Sequence, residues 1–264
     1  MLGIGGALPL PLHRLEAVPL PVPGRHSMTD FLLELRSEEI PARIQDKARL
    51  DLEALFVAEM AEAGIENVKI TTYATPRRLV LIAKDLPTET LGMSEERKGP
   101  RADAPEAALQ GFLRSTGLTV EQLVSREDAK GAKVYFAVIE KPGRATAQVL
   151  AEAVPAIVRA FPWPKSMRWG AASASTESLR WVRPLQGIVA LLGDEVVPFE
   201  IDGVVSGSAT LGHRFHHSGP VTIGNAGDYA AKLRACHVIV GQEERRAIIR
   251  RGAEKAAADA GLVL

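Results

Sequence analysis

Apolar and polar positions recur along this chain with two periods, and each period predicts a different secondary structure. Residues 31–36 alternate with period two, which predicts a strand whose odd-numbered side chains share one face. Between residues 44 and 60 the apolar side chains fall at helical spacing, which predicts a helix with Pro41 in its first turn and Gly64 as its stop. Two further strands are predicted at 68–73 and 79–84.

The rest of the chain is equally mixed in its pattern. It predicts short helices at 105–114 and 119–124, a strand at 133–141, a helix at 145–161 that Pro155 kinks or splits, a hairpin over 186–201, short strands near 204–211 and 220–223, and a long helix at 242–260. Strands and helices in this order are typical of proteins in which helices pack on a sheet. We therefore expect an α+β fold of two small mixed domains of antiparallel sheet with packed helices, ending in a long helix.

The length of 264 residues favours more than one domain. Residues 1–27 are rich in proline and have no apolar period, so we expect a disordered or non-native extension before a functional start at Met28. The first α+β domain is expected at 28–142 and the second at 143–264. Because the chain stops directly after a helix, with apolar residues at its end, the second domain is expected to be truncated within a larger protein.

Composition and charge narrow the possible functions. Hydrophobic residues make up 46% of the chain, charged residues 24%, and 32 basic side chains balance 32 acidic ones. A net charge of zero argues against attraction of the whole surface to nucleic acid or to a membrane, so any such binding must come from local patches. The single cysteine, Cys236, fits a reducing cytosol and is expected to be a buried apolar side chain. No apolar run is long enough to span a bilayer, so we expect a cytoplasmic protein without a membrane partner.

The candidate chemistry is concentrated in three short basic motifs, at 165–170, 181–184 and 212–215. Each motif places arginine or lysine beside an aromatic side chain and a glycine or proline. Arginine offers a planar fork of donors to phosphate, and an aromatic ring offers a face on which a base can stack. The pattern therefore indicates binding of nucleic acid or of a phosphorylated ligand. A structural interpretation has equal weight: the arginines form salt bridges and lie over half-buried aromatic side chains.

Other charged residues carry weaker signals. Glu38 and Glu39 are expected near a helix N-terminus, where negative charge is favoured, rather than in a catalytic pair. Arg77 and Arg78 lie in a hairpin connection that sends them to opposite faces, so one could contact phosphate while the other pairs locally. The basic turn at 98–101 lacks the sequence of a phosphate-binding P-loop. The histidines at 213–217 lack the partners of a zinc site, so no metal is expected.

These residues also carry a resemblance to a known family. The motifs are FLLEL (31–35) with EEIP (38–41), TPRRL (75–79), KGP (98–100), KSMRWG (165–170), WVRP (181–184), LG (192–193) and GHRF (212–215). In this order they resemble the N-terminal part of the beta subunit of bacterial glycyl-tRNA synthetase of the heterotetrameric alpha2-beta2 type. The resemblance runs from Met28 to the end of the chain.

The resemblance implies a role in recognising tRNA(Gly) and in subunit assembly, with the alpha subunit and a second beta subunit as further partners. It places the glycine and ATP site, with its Mg, on the alpha subunit, so these residues alone are expected to be inactive and to hold no catalytic residue or cofactor. The candidate tRNA contacts are Arg77, Lys98, Lys165, Arg168, Arg183 and Arg214. The candidate structural positions of the motifs are Pro41, Pro76, Trp169, Trp181, Pro184 and Gly212.

Two alternatives remain open from the sequence. The chain could be a structural module for beta–alpha or beta–beta assembly without direct tRNA contact, with Trp163, Trp169 and Trp181 as core or interface anchors. A hydrolase that edits mischarged tRNA would have only the histidines at 213, 216 and 217 as local candidates for activating water.

Overall fold

A computed structural model describes residues 27–90, 93–127, 132–141 and 143–264. The helices are α1 (Ala42–Glu62), α2 (Glu106–Thr116), α3 (Thr146–Ala160), α4 (Tyr229–Ala235) and α5 (Gln242–Asp259). The strands are β1 (Met28–Ser37), β2 (Lys69–Thr75), β3 (Arg78–Pro87), β4 (Met93–Arg101), β5 (Leu123–Glu127), β6 (Lys133–Lys141), β7 (Leu185–Leu192), β8 (Glu195–Val196), β9 (Glu200–Ile201), β10 (Val204–Gly207), β11 (Ala209–Leu211) and β12 (Pro220–Thr222). The prediction of an α+β fold is confirmed.

The main sheet has the strand order β2-β3-β1-β7-β10-β9, with β8 paired to β7. All its pairs are antiparallel except β7 with β10. Strand β1 lies inside this sheet and is buried on both faces from Phe31 to Leu35, a segment that is apolar except for Glu34. The strands β4, β6 and β5 form a separate antiparallel sheet, and β11 pairs with β12.

The main hydrophobic core lies on one face of this sheet, under α1 and α3. Phe31, Leu33 and Leu35 of β1 point into it, as the alternation predicts. The predicted apolar stripe of α1 also packs there, and α1 starts directly after Pro41 and ends just before Gly64. The opposite face carries a smaller core in which Leu32 packs with Tyr229 and Leu233 of α4. The helices thus cover both faces of β1.

Local predictions fail where backbone pairing overrides the sequence pattern. The helix predicted at 119–124 is wrong, because the capping box at Thr119 opens only a single 3-10 turn, Val120–Gln122. Strand β5 follows at once and pairs along its whole length with β6, which satisfies the backbone more fully than another helical turn would. Pro155 does not split α3, which is one helix with buried residues on both sides of the proline. The strand predicted up to residue 201 breaks at Pro198, which cannot donate to a ladder.

The predicted boundary at residue 142 lies between strands that share one sheet. Strand β7 follows the boundary in sequence, and it pairs with β1, which precedes it, over Phe31 to Ser37. Helices α1 and α3, from either side of the boundary, pack in the same core. The division at residue 142 stays a prediction about which parts of the chain fold independently.

Two further sequence predictions concern the termini and membranes. The proposed extension at 1–27 lies outside the described residues except for Ser27. Within the described ranges, no helix combines the length and the apolar character that a membrane crossing requires.

Candidate nucleic-acid interface

Three of the sequence motifs meet at one edge of the main sheet, although they are far apart in sequence. The backbone N–H of Glu38 donates to the carbonyl of Pro184 at 3.0 Å, and the N–H of Ile40 donates to the carbonyl of Pro76 at 2.5 Å. Pro41 then serves as the N-cap of α1. The prolines of the EEIP, TPRR and WVRP motifs therefore lie close together, where the end of β1, the β2–β3 turn and the start of β7 meet the N-terminus of α1.

A cavity of about 600 Å³ opens beside this edge, and we call it the arginine cleft. It is lined by residues 75–78, 211–215, 217–219 and 237–239 together with Arg36, Glu39 and Arg245. The TPRR and GHRF motifs thus form facing parts of one concave surface. Among the described residues its lining holds five arginines and one glutamate, which makes the cleft basic in a chain of zero net charge.

A buried ionic network fixes the two motifs relative to each other. Nε of Arg78 lies 3.1 Å from the Glu34 carboxylate, and both side chains are almost fully buried. The hydroxyls of Thr210 and Tyr229 also donate to Glu34, while Arg78 donates to the backbone carbonyl of Leu211. The network ties β1 and β3 to β11 and α4, so Arg78 is a positioning residue of the cleft rather than a free cation.

The hydroxyl of Tyr229 gives this network a testable dependence on pH. Complete burial, followed by the nearby charge of Glu34, raises the pKa of Tyr229 well above its usual value. The folded chain therefore keeps a proton that the unfolded chain loses near pH 10, and this contribution to stability is present below about pH 10 and lost as pH rises further. We expect Tyr229→Phe to lower the free energy of unfolding by about 2 kcal/mol at neutral pH.

Denaturant unfolding of both chains across alkaline pH tests this expectation. The stability difference between the original chain and Tyr229→Phe should shrink as pH rises above about 10. Tyr135→Phe, in the separate sheet, serves as the matched control. A difference for Tyr229→Phe that stays constant up to about pH 11 would contradict the buried, neutral hydroxyl.

Two other arginines of the cleft donate hydrogen bonds to backbone carbonyls. Arg245 donates to the carbonyls of Ile239 and Val240 and, at 2.7 Å, to that of Ala74, which anchors α5 against β2. Arg36 donates to both the side chain and the backbone of Gln186. These arginines contribute positive potential to the cleft, but their donors are largely occupied.

Arg77 and Arg214 differ from these arginines because each pairs with an accessible carboxylate. Arg77 also donates to Oε1 of Gln186 at 3.3 Å and to the carbonyl of Ser37 at 3.5 Å. Arg77 lies 3.2 Å from Glu38, and Arg214 lies 3.1 Å from Glu39, with 25% and 51% of the arginine side chains exposed. Exposed ion pairs contribute little free energy, so another anion can replace the carboxylate at small cost. Arg77 and Arg214 are therefore the cations of the cleft that are best placed to exchange partners.

The GHRF motif forms a tight turn at the mouth of the cleft. A Cβ on Gly212 would lie 2.7 Å from atoms of Cys236 and His217, so only glycine fits at this position of the turn. His213 stacks on His216 at 4.5 Å, and loss of hydration together with its cationic neighbours lowers the pKa of His213. Protonation of His213 is thus disfavoured, and Arg214 supplies the permanent positive charge of the GHRF motif.

The KSMRWG and WVRP motifs are built around an aromatic cluster. Trp181 is fully buried, and its ring lies 4.8 Å from that of Trp163 and 4.9 Å from that of Phe161. Met167 and Trp181 exchange backbone hydrogen bonds, and Trp169 packs against the main core. These aromatic rings support the fold, and Trp181 is not accessible to a base.

The remaining predicted contacts lie outside the arginine cleft. Arg168 is half-buried and donates to the carbonyl of Thr176, and Arg183 donates to that of Val182. Lys165 is exposed on the loop before β7, and Lys98 is exposed on β4 of the separate sheet. The structure thus brings together Arg77 and Arg214 but not the other four. In the described part of the chain, no cluster of side chains suited to a metal ion occurs.

Several residues that line or support the cleft are not among the candidates that the sequence motifs indicate. A buried partner for Glu34 could have been inferred, because a carboxylate between leucines on an inner strand requires one. The acidic pair Glu38 and Glu39 was assigned to the helix terminus, yet both side chains pair with candidate arginines. No pattern in the sequence indicated that Arg36 and Arg245 would join them.

Comparison with known proteins agrees with the motifs. Residues 31–264 match the family model described as "Glycyl-tRNA synthetase beta subunit". The glycine–tRNA ligase beta subunit of Paracoccus denitrificans is 52% identical over 230 residues, covering 86% of this chain and 33% of that protein. The beta subunit of Dinoroseobacter shibae is 51% identical over 222 residues, covering 83% of this chain and 30% of that protein.

The chain spans about a third of the length of the curated relatives that it matches. The match nevertheless covers nearly all residues after Met28 and includes every motif from FLLEL to GHRF. On this evidence the chain belongs to the glycyl-tRNA synthetase beta subunit family.

Proposed function

We propose that this chain contributes to tRNA(Gly) recognition and to subunit assembly in glycine–tRNA ligase. The arginine cleft carries the proposal, because it joins two distant motifs into a basic concave surface. Phosphate groups are the natural ligands of converging arginine forks. In this assignment Arg77 and Arg214 contact the RNA backbone, and Arg36, Arg78 and Arg245 shape the cleft around them.

The proposal assigns the chemistry of aminoacylation to other parts of the enzyme. The glycine and ATP site, with its Mg, would lie on the alpha subunit, and this chain would supply RNA contacts and an assembly surface. A cytoplasmic location and a second beta subunit as a further partner belong to the same proposal.

A second role, in assembly without RNA contact, is favoured by the aromatic cluster. Arg168 and Arg183 donate to the backbone carbonyls of Thr176 and Val182, so their motifs have a structural role already. Met167, which pairs with Trp181, remains 40% exposed and offers an apolar contact to another subunit. In this interpretation the KSMRWG loop faces another subunit, and the chain makes no direct contact with tRNA.

Binding of tRNA(Gly) by the 264-residue chain across a salt series tests the first role. We expect Arg77→Gln/Arg214→Gln to weaken binding by about 10- to 100-fold at low salt, since two charge-assisted contacts are lost. Each lost phosphate contact should also make the slope of log affinity against log salt shallower by about 1.

Arg144→Gln is the matched control, because Arg144 forms an exposed ion pair with Glu152 outside the cleft. This control should leave both the affinity and the salt slope unchanged. Equal binding by the double variant and the original chain would overturn the role of the cleft. Loss of alpha-subunit association in the same double variant, without loss of tRNA binding, would assign the cleft to assembly instead.

A further inference from the structure

We propose that the arginine cleft accepts one unpaired nucleotide of an RNA strand, with its base stacked on Phe215 and its phosphate held by Arg214 and Arg77. The inference rests on the proposed tRNA role and specifies which kind of RNA element enters the site. The central side chain of this site is Phe215, an exposed phenylalanine that lines the cleft.

Phe215 is 76% exposed, although it follows a structurally constrained turn. A large apolar ring in water needs an explanation when the backbone around it is fixed. The carbonyl of His213 accepts the N–H groups of both His216 and His217, and Nδ1 of His213 accepts that of Phe215. The turn therefore presents the ring to solvent through its own hydrogen bonds, with the ring of His213 at 6.0 Å and the guanidinium of Arg214 beside it.

The groups next to Phe215 match the parts of a nucleotide. Cζ of Arg214 lies 4.9 Å from the centroid of the Phe215 ring, at a distance typical of a cation–π contact. The large exposed fraction of the ring leaves room for a base to stack on it. Base stacking on a phenylalanine beside an arginine is the usual arrangement in proteins that bind single strands.

The size of the cleft favours a single nucleotide over a helix. A volume of about 600 Å³ is that of a small-ligand pocket. An RNA duplex presents its backbone and a shallow groove, with bases stacked inside, and cannot place a base against Phe215. An unpaired nucleotide can be extruded from its strand and can reach both the ring and the arginines.

The carboxylate of Glu39 sets the affinity of this site. It pairs with Arg214 in the unliganded chain, so an incoming phosphate must displace it. Both partners are more than half exposed, which keeps that displacement inexpensive. Glu39→Gln removes the competing charge, and RNA should bind several-fold more tightly to this variant.

The test uses the 264-residue chain and a short single-stranded RNA that carries 2-aminopurine, compared with the same RNA annealed to its complement. We expect the single strand to bind more tightly than the duplex, with quenching of 2-aminopurine fluorescence on binding. Phe215→Leu keeps apolar bulk but removes the ring, so it should weaken single-strand binding by about 5- to 100-fold and abolish the quenching. Phe215→Tyr should retain both.

Phe136→Leu is the control, because Phe136 also lies under an arginine, with Cζ of Arg126 5.3 Å from its ring, but on the separate sheet. This variant should bind like the original chain. Salt-sensitive binding that depends on Arg77 and Arg214, with equal affinity for duplex and single strand and no effect of Phe215→Leu, would overturn the nucleotide site and leave the proposed tRNA role intact. Absence of any RNA binding would overturn both.

Discussion

Arg78→Leu is expected to destabilise the chain by about 3–5 kcal/mol, because it leaves a buried carboxylate without its positive partner. Glu34 is 1% exposed, and among the described residues its remaining donors would be the hydroxyls of Thr210 and Tyr229. The lost bond from Arg78 to the carbonyl of Leu211 would also release the segment that leads into the GHRF turn. Urea denaturation followed by circular dichroism measures this loss.

The adjacent arginine provides the matched control for this prediction. Arg77→Leu breaks an accessible ion pair with Glu38 and should cost at most about 1 kcal/mol. In Glu34→Gln/Arg78→Leu the uncompensated charge is gone, one hydroxyl keeps the amide oxygen as its acceptor, and the other can accept from the amide N–H. This double variant should therefore be more stable than Arg78→Leu alone. If Arg78→Leu costs no more than Arg77→Leu, the buried network does not hold the cleft together.

The contrast between Arg77 and Arg78 shows which features of the site could be inferred from the sequence and which could not. Alternation along the hairpin predicted that Arg77 and Arg78 face opposite ways, and the structure buries one and leaves the other accessible. Their partners, Glu34 and Glu38, lie about forty residues earlier, on β1 and its exit. Such pairings depend on the register between β1 and β3, which no local pattern encodes.

The fold was more predictable than the site because its elements are specified locally. The apolar residues of β1 follow from its burial, and the helical stripe of α1 follows from burial of one helix face. Each segment records these patterns by itself. The pairing of β7 with β1 has no local signal, since more than 140 residues separate them in sequence. That pairing brings Gln186 to Arg36 and thereby closes one side of the cleft. The site depends on contacts of this long-range kind.

The aromatic residues show why motif composition alone left two interpretations open. Arginine beside tryptophan or phenylalanine occurs in the KSMRWG, WVRP and GHRF motifs, but the structure separates their roles by burial. Trp181 is fully buried whereas Phe215 is mostly exposed. Residue type predicted a stacking surface in both places, and only the packing of Phe161 and Trp163 on Trp181 distinguishes them.

Trp181→Ala is therefore expected to act on stability rather than on binding. Removing this fully buried ring should lower the free energy of unfolding by about 3–5 kcal/mol, through lost apolar contacts and the cavity left behind. Trp181→Phe should cost less, because a ring still packs on Phe161 and Trp163, and because Nε1 of Trp181 has no hydrogen-bond acceptor within the described residues. Thermal and urea unfolding measure both losses.

Comparison with Phe215 makes this prediction decisive for the roles of the two motifs. Phe215→Leu should leave the unfolding midpoint unchanged, since an exposed ring contributes little to the folded state. Trp181→Ala should lower the midpoint strongly, and its tRNA affinity should recover to that of the original chain at temperatures where it is fully folded. A Trp181→Ala chain that is as stable as the original but fails to associate with the alpha subunit would instead make WVRP an assembly anchor.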